Sequence, residues 1–156
     1  MHTRWANFLE VNRRELLEQW LDRALALFPE KMEYSTPVAM MLSGSLEALL
    51  DGVGESKNDS QHALDDVTRL LAVQSMPPSR ALSIFFELKL ILRAIMMKTP
   101  VAVRLSQEAL ESCNLRLDAL TLEAFDSYMQ HREKIYQLKV EEGRRRMFMA
   151  LRGAEA

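Results

Sequence analysis

The sequence predicts an all-α fold, a single-domain bundle of about five to six helices ending in a long C-terminal helix. Three observations carry that expectation. Apolar residues recur at helical spacing almost everywhere, and no run alternates convincingly as a strand. The 156 residues hold only five Gly and five Pro beside 48% hydrophobic and 27% charged residues, a balance that suits a packed helical globule rather than disorder. Helix-breaking residues fall where helices would start or stop, at Pro29, Pro37, Gly52, Pro77-Pro78 and Pro100.

The first helix is predicted over about 4–28, with Phe8, Leu9, Leu16, Leu17, Trp20, Leu21, Ala24, Leu25 and Phe28 facing inward and Pro29 as its stop. Asn12-Arg13-Arg14-Glu15 resembles a capping box and predicts a break or restart there. Thr36-Pro37 opens a second helix that reaches Asp51-Gly52. The polar stretch GVGESKNDS, residues 52–60, reads as a loop. Its GxG is no phosphate loop, because no strand precedes it and the following helix is too far away. A third helix follows over about 60–75, with Leu64, Val67, Leu70 and Leu71 inward.

The fourth helix starts at Pro77-Pro78, since proline is tolerated in a first turn where its missing N–H would lack a partner anyway. It runs to about Lys98, before Thr99-Pro100. Inside it, FFELKLILR (85–93) sets Lys89 and Arg93 one turn apart in an apolar run. At about 100° per residue, Arg80, Glu87 and Lys98 share one narrow polar stripe. Lys89 and Arg93 fall on the other side, among Leu82, Phe85, Phe86 and Met96. Cations in an apolar arc need anions, solvent or a partner.

The last helical region is predicted over about 101–149, with a break near Asn114. The roughly 35 residues after Asn114 would extend for about 50 Å, too long to be covered by so small a domain. The end from about 140 to 156 should therefore project or pack on another subunit. Tyr136, Val140, Met147, Phe148 and Leu151 are the candidate residues of a homodimer interface there.

Several function classes are disfavoured. A formal net charge of -2 gives no general attraction to nucleic acid or to an anionic membrane. No signal-peptide core opens the chain, and charges interrupt the most apolar window well short of a span, so no membrane insertion and a cytoplasmic location are expected. The single cysteine, Cys113, fits a reducing compartment. His2, His62 and His131 lack metal-ligand spacing, and no nucleophile elbow, P-loop or dinucleotide fingerprint is present. Neither metal, cofactor nor enzymatic activity is expected.

The unusual polar residues form a pattern instead. Gln74 projects with Val67 and Leu71, and Arg132 lies mid-arc among Phe125, Tyr128, Met129 and Tyr136. With Lys89 and Arg93, these make three cations and an amide directed at apolar surfaces. The plainer reading is internal pairing, with Asp66, Asp118 or Asp126 as acceptors, and snorkelling of the long stems. The sharper one is a cleft for an anionic ligand or an acidic partner helix. Ten methionines, clustered at Met40-Met41, Met96-Met97 and Met147 with Met149, read first as fillers of core gaps and second as adaptable partner surface. Arg144-Arg145-Arg146 follows Glu141-Glu142 and reads as a solvated helix end.

Two long stretches carry more than periodicity. The run AVQ…PPSRAL…ELK (72–89) and the run AFDSYMQHREKIYQLK…E (124–142) resemble the N-terminal domain of RsbRD-type proteins, co-antagonists of the RsbT kinase. RELLEQWLDRALALFPE resembles the opening helix of that family, with Trp20 and Pro29 in place. The resemblance implies a sensory or regulatory input module that precedes a STAS domain or a histidine-kinase core, with a globin-like fold without haem. This chain ends at Ala156 with no output domain, so a stand-alone copy is expected, acting through a separate partner or its own dimer.

The leading expectation is a non-enzymatic bacterial signalling module that binds another regulatory protein, a kinase, STAS or other signalling protein. Lys89, Arg93 and Arg132 are the candidate contacts, with Gln74 and Asp126 orienting them. The alternative is a small-molecule sensor binding an apolar or anionic ligand between the fourth and last helices, in a cavity beside Phe85 and Tyr128.

Overall fold

A computed structural model describes residues 4–54 and 59–155. Five α-helices run in order: α1 (Trp5–Leu25), α2 (Pro37–Gly54), α3 (Asp59–Ala72), α4 (Pro78–Lys98) and α5 (Gln107–Glu155). A single 3-10 turn, Val101–Val103, joins α4 to α5, and no β-strand occurs among the described residues. The helices close a ring in which α1 sits between α2 and α4, α2 meets α3, and α5 fills the gap between α3 and α4.

The boundaries follow local chemistry. Pro77 and Pro78 occupy the cap and first position of α4, where a missing N–H costs nothing. Thr36 caps α2, its hydroxyl accepting the Ala39 N–H at 3.2 Å. Two predicted interruptions do not occur. Helix α1 runs through Asn12, whose side-chain amide donates back to the Phe8 carbonyl at 3.0 Å. Arg13 there binds Glu47 and Asp51 of α2 instead of capping anything, and the Asp51 hydrogen bond raises its already high pKa. Helix α5 likewise passes Asn114 unbroken for 49 residues. Of the loop expected at 52–60, Gly52–Gly54 belong to α2 and Asp59 and Ser60 to α3, and residues 55–58 lie outside the described residues.

The core sits inside the ring. Trp20, Leu16, Leu46, Leu50, Leu71, Phe85, Leu88, Leu117 and Tyr128 are almost wholly buried there. Trp20 pins α1 to α4: its indole N–H donates to the Ile84 carbonyl at 2.8 Å, and its ring meets Phe85 edge-on with centroids 6.5 Å apart. Removing an aromatic side chain of this kind typically costs about 3–5 kcal/mol.

Candidate functional site

Each helix leaves its last carbonyls without intrahelical donors. Arginines from elsewhere supply those donors at three of the five helix ends. Arg132 Nη1 donates to the carbonyl of Ala72, the last residue of α3, at 2.8 Å. Arg116 Nη1 does the same for Val53, in the last turn of α2, at 2.9 Å. Arg104 reaches back to Thr99 O at 2.7 Å and Met97 O at 3.2 Å, closing the end of α4. A guanidinium there also meets the negative end of the helix dipole.

Around Arg132 the inner face of α5 forms a polar seam with α3. The buried Thr68 hydroxyl lies 2.7 Å from Ser127 Oγ, and His131 Nε2 lies 2.8 Å from Asp65 Oδ1. Tyr128 is buried and donates its hydroxyl to the Met76 carbonyl at 2.7 Å. Burial raises the pKa of that phenol, and Arg132 opposes the rise. Met76 follows the turn at Ser75, whose φ of 53° lies in the left-handed region that a residue with a Cβ rarely adopts. Tyr128 and Arg132 thus hold both sides of a strained reversal between α3 and α4.

The two longest sequence runs, 72–89 and 124–142, therefore meet in space, the second supplying donors to the carbonyls at the start of the first. A family model described as the RsbT co-antagonist protein rsbRD N-terminal domain matches residues 14–142. The chain belongs to this family. The matched stretch takes in every contact of the seam and stops just before Gly143 in α5. A protein from Archaeoglobus fulgidus, described as an uncharacterized protein, is 28% identical over 137 residues, covering 85% of each chain. No solved structure matches the chain.

In this rsbRD N-terminal domain the five predicted site residues do not form one cluster. Lys89 pairs with Asp118 of α5, one of the three acceptors expected. Arg132 turns to a backbone carbonyl at the far end of α3 rather than to an acid. Asp126 is exposed and pairs with none of the three cations, so it orients nothing there; Gln74 lies in the turn after α3 and makes no side-chain bond to them. Arg93 is exposed and, among the described residues, makes no hydrogen bond or ion pair. Phe85 and Tyr128, beside which a ligand cavity is expected, are both fully buried in the core. A cleft does open between α4 and α5, further along, lined by Lys89, Arg93, Met96, Arg104, Leu105 and Leu110 among others.

Methionine departs most from expectation. None of the described methionines belongs to the buried core. Met32, Met76 and Met96 pack on its edge, whereas Met40, Met41, Met97, Met129, Met147 and Met149 are exposed. Their side chains face outward, as in adaptable contact surfaces.

Along its bundle half, α5 has an exposed apolar outer face of which the sequence singled out only Tyr136 as an interface candidate. Leu115, Leu122, Met129 and Tyr136 recur every seven residues and are 70%, 70%, 42% and 71% exposed. Val140, Met147 and Leu151 continue the row, all exposed. These side chains fall within an arc of about 60°, turned away from Cys113, Leu117, Ala124 and Tyr128 on the core side. The seven-residue spacing was legible in the sequence, but which of two apolar faces met the core was not. Arg116 left no sequence signal, because its acceptor is 63 residues away. Arg104 did leave one, following the end of α4 within a few residues. Among the described residues no group of His, Cys, Asp and Glu is placed to hold a metal ion, and no helix is long and apolar enough to cross a membrane.

Proposed function

We propose that this domain is a non-enzymatic cytoplasmic signalling module that acts by offering the outer face of α5 to a partner helix, first of all that of a second copy. Membership of a family of stress-response regulators supports the regulatory role. One observation carries the mode of action: a single apolar row runs from Leu115 in the bundle to Leu151 in the projecting tail, with nothing covering it. A helix with two apolar faces, one already used, has room for a second set of contacts. Steps of seven from Leu115 to Tyr136, then of four and seven as far as Leu151, keep one seam facing a partner, as in a supercoiled helix pair. A twofold axis lets the same row serve both copies. The paired helices then present a joint surface to a further regulator, a kinase or a STAS protein.

Sedimentation of the full chain tests this. The intact protein is expected to associate at micromolar concentration, and Leu122→Glu with Met129→Glu to leave a folded monomer. A monomeric wild-type chain, or association that survives both charges, would defeat the reading.

A further inference from the structure

The cleft between α4 and α5 has a composition that packing does not require. Its volume is about 620 Å³, within the range of small-molecule sites. One wall is apolar, with Leu92, Met96, Leu105 and Leu110, and three cations line the cleft, Lys89, Arg93 and Arg104, beside the amides of Gln107 and Asn114. No Asp or Glu is among the lining residues.

Two of the three cations are already committed. Lys89 pairs with Asp118 from outside the lining, and Arg104 closes the end of α4. Arg93 alone keeps its guanidinium free of protein partners. One free, planar, five-donor cation above an aliphatic wall matches one carboxylate, which a guanidinium binds through two parallel hydrogen bonds. A polyphosphate would need more uncommitted charge, and an aromatic ligand would find no ring among the lining residues to stack on. The wall from Lys89 to Met97 spans nine residues of α4, a rise of about 12 Å, which suits an extended chain rather than a compact acid.

We propose that this cleft binds an amphipathic monocarboxylate of the medium-chain fatty-acid class, with its carboxylate on Arg93 and its chain against Leu92, Met96, Leu105 and Leu110. Met96 and Met97 give the wall a side that adapts to chain length. The site is separate from the partner-binding row, since none of its lining residues belongs to that row.

Calorimetric titration of the full chain with octanoate, and with 1-octanol as its uncharged counterpart, tests the assignment. Octanoate is expected to bind saturably at one site per chain, and Arg93→Gln to weaken it about tenfold or more while leaving 1-octanol unaffected. Arg93 is exposed, so this variant should fold as the wild type does, which circular dichroism verifies. Leu122→Glu, on the outer row, should leave octanoate binding unchanged even where it abolishes self-association. No saturable octanoate binding, equal affinity in the Arg93→Gln variant, or loss caused by Leu122→Glu would each overturn the assignment. The association assay then stands or falls by itself.

Discussion

Arg104, Arg116 and Arg132 show what a cation in an apolar arc can be for: each satisfies helix-terminal carbonyls that lack intrahelical donors. Arg132→Met is expected to destabilise the fold by about 1–3 kcal/mol, the scale of a hydrogen bond to a charged group whose partner stays behind. Lys89→Met should cost no more than about 1 kcal/mol, because the Lys89 and Asp118 side chains are 27% and 55% exposed and the pair is screened. Urea denaturation of the two variants checks the order, and the reverse ranking would contradict it. Cys113 gives a second residue-scale expectation. Burial pushes its thiol up to about 11, with Arg116 pulling the other way, so almost no thiolate exists near neutral pH. Ellman's reagent should react slowly with the native protein at pH 8 and fully once it is unfolded. A raised folded pKa also fixes the sign of the pH effect. The contribution of the protonated thiol is complete below its unfolded pKa of about 8.5 and is lost as pH climbs toward the folded value. Stability measured from pH 8 to 10 should therefore fall.

At the scale of elements, the close approach of α2 to α3 depends on Gly52. A Cβ built there would lie 2.7 Å from Ser60 Cβ, nearer than real Cβ contacts come, so the start of α3 would have to move. Gly52→Ala is expected to lower the melting temperature despite the better helix propensity of alanine. Gly143 is the opposite case, with nothing within 4 Å of an added Cβ. Gly143→Ala should raise the helicity of the tail by about 1 kcal/mol of local stability and leave the melting temperature of the bundle unchanged, because no core contact depends on that turn. Circular dichroism of both variants compares the two signs directly. A rise in melting temperature for Gly52→Ala would show that α2 and α3 are farther apart than described.

For the whole molecule, α5 decides the shape. Its 49 residues extend for about 73 Å, and from Tyr136 to Glu155 every residue is exposed. Truncation after Leu138 should therefore leave the melting temperature of the bundle within a degree or two while weakening self-association, as the exposed Val140, Met147 and Leu151 are lost. Loss of folding on truncation would mean that the tail contributes to the core after all. The cleft lies near the start of α5, and the tail at its other end, so any coupling between them must travel along one continuous helix.

The sequence by itself determined the helices, most of their ends and the inward faces of α1 and α3. Those features follow from residues within a turn or two of one another, as with Pro77-Pro78 at the start of α4 or the buried side of α1 from Phe8 to Leu25. It also placed the chain in its family, because the runs at 72–89 and 124–142 are contiguous patterns that need no folding to be read. The partner of each cation on an apolar arc was decided by tertiary structure alone. Arg132 found a carbonyl 60 residues away, Lys89 found Asp118 rather than Asp66 or Asp126, and Arg93 found nothing. The same holds for α5, whose two apolar faces are equivalent in a helical wheel. Only the closing of the ring by α3 and α4 buries Leu117 and Tyr128 and leaves Leu122 and Tyr136 in water, since periodicity records that a face is apolar but not which neighbour will cover it.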